Sequence, residues 1–346
     1  MCTTSCSHSL PSLRGLHCDE LTTSFSITHS LIPIHPHHPP PTRAAVGASQ
    51  DGVVQGQGPL GGTEEFFFNA GGNQGGEGND GAGEWWIEGI LAELDAENEF
   101  FFDRATKRLY LWYNGTEAQP PTTLLAPNLA TILELRGSMA APVVDFALTN
   151  VNVTATRPTF MEPRGNPSGG DWALERSGAL MMEGTEGTSV SGVHFAKCDS
   201  NAISINGYNR GVTITNNWFT WLGQNAIASW GRVAGNDGTG GEQPRGTVVS
   251  NNWASEVGVI QKQSSFYFQA LTAQTLINNN IVFNIPRAAI NFNDGFGGAN
   301  EIVKNLLFNT CRESSDHGAF NSWDRLPYLT TLGDGVTVSE RESSSS

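Results

Sequence analysis

The chain has 346 residues, of which 38% are hydrophobic and 40 are glycine, enough for one elongated core with appendages. Its formal net charge is −15, but residues 190–330 hold nine Lys/Arg and nine Asp/Glu, so the acidity lies mainly between residues 51 and 189. Nucleic-acid binding needs clustered cations, and this charge pattern excludes it. Binding of a polyanionic sugar by a few local cations is still possible.

Residues 1–50 differ in composition from the rest of the chain. Six of the eight histidines lie here, and a His/Pro run ends at Pro41. We predict a disordered leader, with a metal-binding histidine tract as the alternative reading. No apolar run of signal-peptide or membrane-span quality follows Met1, although the Asn-x-Thr sequons at Asn114 and Asn152 are compatible with secretion.

Residues 51–137 are predicted to form an appendage before the main domain. A glycine-rich stretch covers residues 71–83 and reads as a loop. After it, Glu99 to Tyr113 carries an aromatic FFFD segment, a turn and the strand RLYLWY. This pattern predicts a β-hairpin.

An asparagine column recurs through residues 138–332. The motifs ITNNWF, VSNNWA, INNNIV and IVKNLLF place asparagine at steps of 35, 28 and 25 residues, and two earlier turns carry valine in the same column. The column members are Val151, Val193, Asn217, Asn252, Asn280 and Asn305. Self-similarity at such a period is typical of a solenoid built from stacked coils.

Apolar residues flank this column in every repeat. The position three residues before it holds Leu148, Val190, Ile214, Val249, Ile277 and Ile302, and the position two after it holds Val153, Phe195, Phe219, Ala254, Val282 and Leu307. An odd separation of five residues cannot point both side chains inward along one straight strand. We therefore predict a bend at the column, where asparagine tolerates a left-handed backbone, and an all-β parallel β-helix.

Cysteine spacing excludes a disulfide scaffold. Cys2, Cys6 and Cys18 lie in the leader, whereas Cys198 and Cys311 lie four coils apart, roughly 19 Å at the strand spacing. A disulfide cannot reach that far, so both are predicted to be buried thiols. Residues 333–346 show no further coil and are predicted to be a disordered tail, which suggests a fragment or a truncated chain.

Four long motifs occur in order along the chain: PSGGDWAL from Pro167, NAISINGYNR from Asn201, PRAAINFNDGFGG from Pro286 and NTCRESSDHGAFNSWDR from Asn309. Together they resemble the right-handed parallel β-helix proteins of the pectate-lyase-like superfamily. The hairpin segment also resembles the module that precedes the coils in those chains. The resemblance implies a right-handed single-stranded β-helix, and carbohydrate-active chemistry by analogy only.

Four aligned segments suggest an exposed polar strip along the coils. NAISI, NAIAS, RAAIN and HGAFN place Asn201, Asn225, Arg287 and His317 in one column, with Gln261, Lys262 and Gln263 nearby on the intervening coil. Stacked polar side chains form a groove suited to an extended polysaccharide. Tryptophans nearby offer stacking surfaces for sugar rings, namely Trp218, Trp221, Trp230, Trp253 and Trp323.

A lyase reading relies on the cations of this strip. Lys262 would act as the base and Arg287 would support the substrate carboxylate or the leaving group, as in some β-helix lyases. Calcium is possible in this reading, with Asp294 and Asp316 as a weak candidate pair of ligands and no metal as the main expectation. The alternative is that Lys262 is solvated and Arg287 hydrogen-bonds a turn.

A hydrolase reading relies on the acids Asp294, Asp316 and Asp324. His317 would act as an acid or orient a water molecule. The alternative is a structural ion-pair network at a coil corner, made of Arg312, Glu313, Asp316 and Arg325.

We thus expect a monomeric extracellular protein that binds a polysaccharide and cleaves it by elimination or hydrolysis. A non-catalytic polysaccharide-binding or structural protein is the alternative. The predicted catalytic residues are Lys262, Arg287, Asp294, Asp316 and His317. The predicted substrate-binding residues are Asn201, Asn225, Gln261, Gln263, Arg312, Trp323 and Arg325.

Overall fold

The computed structural model describes residues 89–113, 123–159, 177–232, 240–313 and 317–323, together with the backbone of four short strands at 53–57, 63–67, 330–331 and 337–338. The leader, the glycine-rich stretch and most of the tail lie outside the described residues, as do Asp316, Asp324 and Arg325.

The regular secondary structure of the described chain is β-strand, apart from one 3-10 turn at Leu91–Glu93. In chain order, the first strands are β1 (Val53–Gln57), β2 (Thr63–Phe67), β3 (Phe100–Asp103), β4 (Arg108–Leu111), β5 (Leu133–Arg136), β6 (Val143–Val144), β7 (Ala147–Thr149), β8 (Asn152–Thr154), β9 (Gly178–Glu186), β10 (Ser189–Ser191), β11 (His194–Ala196), β12 (Asn201–Arg210), β13 (Thr213–Thr215) and β14 (Trp218–Leu222). They continue with β15 (Ile227–Trp230), β16 (Pro244–Arg245), β17 (Val248–Ser250), β18 (Trp253–Val257), β19 (Tyr267–Thr272), β20 (Leu276–Asn278), β21 (Ile281–Phe283), β22 (Ile290–Phe296), β23 (Glu301–Val303), β24 (Leu306–Phe308), β25 (Phe320–Ser322), β26 (Thr330–Thr331) and β27 (Thr337–Val338).

Three parallel sheets carry the fold, and the chain visits them in turn. The first sheet has the order β23-β20-β17-β13-β10-β7, and the second has the order β24-β21-β18-β14-β11-β8. The third has nine strands, with the path β25-β22-β19-β15-β12-β9-β5 and with β6 and β16 at its side. Each circuit of the chain, which we call a coil, adds one strand to each sheet. Such repeated parallel pairing at a short period is what the asparagine spacing predicts.

The predicted apolar columns are confirmed by the strand register. Leu148, Val190 and Ile214 are consecutive partners in the first sheet, and Val153, Phe195 and Phe219 are consecutive partners in the second. Residues of all three sheets contribute to one buried hydrophobic cluster, and the Phe195 and Phe219 rings stack within it at 5.3 Å. Apolar burial along this common core is the main stabilising term for the stack.

The asparagine column is a buried hydrogen-bond ladder. In each rung the side-chain oxygen of one asparagine accepts both the backbone and the side-chain N–H of its counterpart in the previous coil, as from Asn217 to Asn252 at 3.0 Å. The left-handed residues lie one position earlier, at Asn216, Asn251, Asn279 and Lys304. The predicted bend is therefore present, but the column residue itself pairs coils while its predecessor turns the chain.

Features outside the three sheets agree with parts of the sequence analysis. β3 and β4 form the predicted antiparallel hairpin. Cys198 is a buried free thiol and Cys311 is a half-buried one, with their distance from each other along the coils excluding a bond. The described part of the chain holds no helix with the length and apolar character of a membrane span.

Candidate functional site

The predicted exposed strip is not one strip, and three of its four members, Asn201, Asn225 and Arg287, are fully buried. The Asn201 side-chain oxygen accepts the backbone N–H of Asn225 at 3.1 Å. The Asn225 oxygen accepts the N–H of Ser265 in turn. These asparagines form a second internal ladder at the start of the strands of the third sheet. Direct contact with a substrate requires exposed atoms, and neither asparagine has any.

The register also corrects the alignment of Arg287 with those asparagines. In the third sheet Ile227 pairs with Tyr267 and Tyr267 pairs with Ile290, which places Ser265 and Ala288 in the Asn225 column. Arg287 therefore lies one residue before this column. A shift of one residue moves a side chain to the other side of a strand, which explains why the pattern misled the prediction.

The structure does bring Gln263, Arg287 and His317 together at a coil corner. The Arg287 guanidinium donates to the Gln263 side-chain oxygen and lies 3.0 Å from Nε2 of His317. Arg287 and Gln263 are buried, and His317 is half-buried. A fully buried guanidinium that contacts side chains of the preceding and following coils ties three successive coils together.

Lys262 and Arg312 are each ion-paired at the same corner. Lys262 Nζ lies 2.8 Å from Glu313, and both side chains are mostly buried. Arg312 lies 3.2 Å from Glu256, which also accepts a hydrogen bond from Asn284. We use the name corner cluster for the side chains that meet here, namely Glu256, Lys262, Gln263, Arg287, Arg312, Glu313 and His317. It shares Arg312 and Glu313 with the predicted structural network, although Glu313 pairs with Lys262 and Arg312 pairs with Glu256.

The remaining predicted residues lie apart or outside the description. Gln261 accepts the backbone N–H of Gln263 at 3.3 Å. Asp294 is half-buried at the far end of β22, away from Arg287. Trp323 is exposed beside β22, to which its N–H donates. Asp316 and Arg325 fall among the residues not described, and no group of three or more potential metal ligands occurs among those that are.

A pocket that the sequence analysis missed lies on the outer face of the third sheet. It has a volume of about 190 Å³ and is lined by Arg136, Met181, Glu183, Asn206, Gly207, Trp230 and Arg232. We call it the sheet pocket. Four of these residues form one row across neighbouring strands, since Arg136 pairs with Glu183, Glu183 with Asn206, and Asn206 with Trp230.

A chain of ion pairs crosses the sheet pocket. Arg232 lies 2.7 Å from Glu183, and Arg136 lies 2.5 Å from Glu134, which stands opposite Met181 on β5. The hydrogen bond that Arg136 donates to the Glu134 carboxylate is the main cause that raises the pKa of Arg136, and the charge of Glu183 adds to it. Two acids and two guanidinium groups thus alternate, so the row is close to neutral overall.

The pocket combines this polar row with an apolar wall. Trp230 packs against Phe268 with ring centroids 4.8 Å apart, in a buried cluster on the outer face of the third sheet. Gly207 has a φ of +62°, and a side chain there would stand 3.4 Å from the Arg232 guanidinium. The alternation in LELR, residues 133–136, was the available signal, because it places Glu134 and Arg136 on the same outward face.

Comparisons with known proteins identify no family. No family model matches the sequence, and no curated protein matches it. Among solved structures the chain is similar to one described as a glycoside hydrolase, with a TM-score of 0.61 and 12% sequence identity. The likeness covers 81% of this chain and 56% of that chain, so this chain spans little more than half the length of the structure it matches. At this identity the likeness concerns the fold alone.

Proposed function

We propose that the three sheets are the faces of a right-handed single-stranded parallel β-helix that binds a carbohydrate chain at the sheet pocket. The observation that carries the proposal is the row of Arg136, Glu183 and Asn206 beside Trp230 on one sheet face. Sugars present hydroxyl groups for polar side chains such as Arg136 and Glu183, while Asn206 and Trp230, each 4% exposed, line the pocket with little accessible surface. An extracellular location belongs to the same proposal.

The balance of charge in the pocket favours a neutral sugar over an acidic one. Each guanidinium already contacts a carboxylate, so the charges of the pocket are balanced and a uronate gains less attraction there than it would from an arginine without an acidic neighbour. A neutral sugar can accept from the guanidinium groups and donate to the carboxylates without breaking either pair. This argument disfavours an acidic substrate at the pocket.

The corner cluster gives little support to β-elimination. The predicted base, Lys262, is engaged by Glu313, and Arg287 is fully buried against Gln263 and His317. A lyase would need both side chains facing substrate in an open groove. The contacts observed are those of a corner that holds coils together.

Hydrolysis of the bound chain is the second candidate, favoured by the position of Glu134. Glu134 pairs with Met181, two residues before Glu183, so the two glutamates are diagonal neighbours on one face. Strand spacing and rise place their Cα atoms about 8 Å apart. Two carboxylates on either side of a glycosidic bond are the basic requirement of most glycoside hydrolases. Both are ion-paired, so cleavage would require the substrate to displace at least one arginine.

Binding to neutral and acidic oligosaccharides tests the proposal. We expect saturable binding of a neutral oligosaccharide by calorimetry, with an affinity that drops at least about ten-fold in Glu183→Gln and in Arg136→Ala, since each loses a charge-assisted contact. The matched control is Glu301→Gln, which neutralises an exposed glutamate of the first sheet. Binding that survives both pocket variants unchanged would contradict the location.

Two product assays on the same samples separate the chemical alternatives. New reducing ends that are lost in both Glu134→Gln and Glu183→Gln would indicate hydrolysis. Ultraviolet absorbance of unsaturated uronates, lost in Lys262→Ala, would instead restore the lyase reading. Binding without either product would indicate a non-catalytic role for this chain.

A further inference from the structure

Beyond the sheet pocket, the outer face of the second sheet carries a continuous strip of apolar side chains. The outward positions of β14, β18, β21 and β24 hold one column of Trp218, Trp253, Ile281 and Leu306 and a second column that ends with Phe283 and Phe308. We call these six residues the aromatic strip. We infer that the aromatic strip is a binding surface for the flat, apolar face of a neutral extended polysaccharide.

Exposure distinguishes this strip from the rest of the fold. Trp218 is 52% exposed and Leu306 is 55% exposed, while Trp221 on the adjoining corner is 56% exposed. The same outward positions on the earlier strands β8 and β11 hold Asn152, Thr154, His194 and Ala196. Contiguous exposed apolar surface of this kind marks a binding site more often than a scatter of single residues does.

The first sheet has no counterpart of this strip. The outward positions of its six strands hold no aromatic residue; half of them are serine or threonine, and the apolar ones, such as Val248, Leu276 and Val303, are aliphatic. If these apolar residues were exposed by chance, they would not all lie on one face of four neighbouring coils. The concentration of aromatic groups therefore requires its own explanation.

The strip is also rigid. Phe283 and Phe308 stack at 4.9 Å with an interplanar angle of 7°, and Trp253 meets Phe283 edge-on at 5.2 Å. These contacts join three successive coils on a parallel-sheet scaffold. A surface whose side chains are already ordered loses little conformational entropy when a ligand binds.

Charge indicates the class of ligand. The six residues of the aromatic strip carry no charge, and the nearby Glu256 at the end of β18 is ion-paired with Arg312. An acidic polymer would find no cation within the strip, and a charged ligand would lose hydration without compensation. A neutral sugar chain can lay its C–H faces on aromatic rings while its hydroxyl groups remain in water.

Size argues against a second copy of the chain as the occupant. Four strands at the parallel spacing and two outward residues per strand give a footprint on the order of 200 Å². A stable protein–protein interface needs about 800 Å² from each partner. A strip that is long in the stacking direction and narrow across it fits a single extended sugar chain better.

Depletion from solution by microcrystalline cellulose, a neutral insoluble polysaccharide, tests this inference. We expect the full chain to bind cellulose, and Trp218→Ala to weaken the partition constant about five-fold or more through loss of a stacking platform. Trp218→Phe should restore most of the binding. The control is Phe100→Ala, which removes an aromatic side chain that is 66% exposed but lies on the β3–β4 hairpin.

Three outcomes would overturn the inference. They are no retention of the wild-type chain, equal losses in Trp218→Ala and Phe100→Ala, and a concentration-dependent dimer in sedimentation that Trp218→Ala abolishes. Binding should also persist in raised salt, because no charge contributes to it. The sheet pocket has its own readout on a soluble oligosaccharide, where Glu183→Gln lowers the affinity and Trp218→Ala does not, so failure of this inference is distinguishable from failure of the sheet pocket.

Discussion

Arg287 shows how a conspicuous cation can be structural. It is among the largest fully buried side chains, and its guanidinium contacts Gln263 on the preceding coil and His317 on the next. A buried charge is retained only where several acceptors compensate for lost hydration. Its position at a corner between three coils accounts for those acceptors.

Replacing Arg287 should therefore test stability rather than chemistry. We expect Arg287→Ala to lower the free energy of unfolding by about 3 kcal/mol or more, because it leaves a cavity and two half-satisfied partners. Urea unfolding followed by circular dichroism measures the loss. Arg312→Ala is the control, since its ion pair with Glu256 is partly exposed and should cost less than about 1 kcal/mol. Equal losses in the two variants would contradict the structural role.

Burial of Cys198 predicts a pH dependence. Burial raises the pKa of its thiol from 9.0 to about 12, and burial raises the pKa of Tyr267 in the same direction, also to about 12. Between pH 9 and pH 12 the folded chain holds a proton at Cys198 that the unfolded chain releases. Stability should therefore fall with rising pH across this window, on the order of 1 kcal/mol per pH unit for one such group.

Thermal unfolding at several pH values, with reductant present, checks this dependence. Cys198→Ala should show a shallower decline than the wild-type chain between pH 9 and pH 10, before Tyr267 adds its own contribution. Cys311→Ala is the control, because it removes a thiol that is less buried and should leave the slope unchanged. A slope that does not change in Cys198→Ala would show that the buried thiol is not the proton-binding group.

At the scale of the elements, the asparagine ladder links each coil to the next. The Asn252 side-chain oxygen accepts two hydrogen bonds from Asn217, whereas the Asn217 oxygen accepts one from the N–H of Val193. An asparagine inside the ladder therefore accepts two hydrogen bonds from its neighbour, whereas Asn217, whose neighbour is a valine, accepts one. Each buried donor left without an acceptor costs about 1–3 kcal/mol.

Valine substitutions along the ladder should reveal this difference. Asn252→Val leaves two donors of Asn217 without an acceptor, and Asn217→Val leaves only the Val193 N–H. We expect Asn252→Val to be the more destabilising variant by roughly 1–2 kcal/mol in urea unfolding. Valine is a fair replacement because it occupies the same column naturally at Val193. A larger loss at Asn217 would indicate that the ladder is not the origin of the effect.

The repeat explains which parts of the fold were predictable. Apolar columns recur at constant spacing because every coil buries the same positions, so the first and second sheets follow from the sequence. The register of Arg287 does not, because corner lengths before the third sheet vary and a one-residue error reverses the side chain. The left-handed position was misplaced by one residue because asparagine occupies both Asn216 and Asn217.

The sheet pocket was harder to predict for a different reason. Its residues come from strands and a connection that share no motif, and Arg136 and Arg232 lie far apart in sequence. Only the pairing of β5 with β9 and of β9 with β12 places Glu134, Glu183 and Asn206 side by side. Local alternation can identify an outward side chain, but non-local strand order decides which outward side chains meet.

For the whole molecule, the sheet pocket and the aromatic strip lie on different sheets around one core. No residue is common to the two sites, so substitutions in one should act independently of the other. This separation suggests a division of roles on a neutral polysaccharide: the strip would adsorb the chain to an extended polymer while the pocket engages single sugar units.

Two substrates of different size test this division. On a soluble neutral oligosaccharide, Trp218→Ala should bind like the wild-type chain and Glu183→Gln should lose affinity at least about ten-fold. On insoluble cellulose the order should reverse, and the double variant should show the sum of both free-energy changes within about 0.5 kcal/mol. A loss of soluble-oligosaccharide affinity in Trp218→Ala, at unchanged thermal stability, would mean that the strip and the pocket act as one continuous site. That result would replace the two-site arrangement with a single groove running around the corner between the second and third sheets.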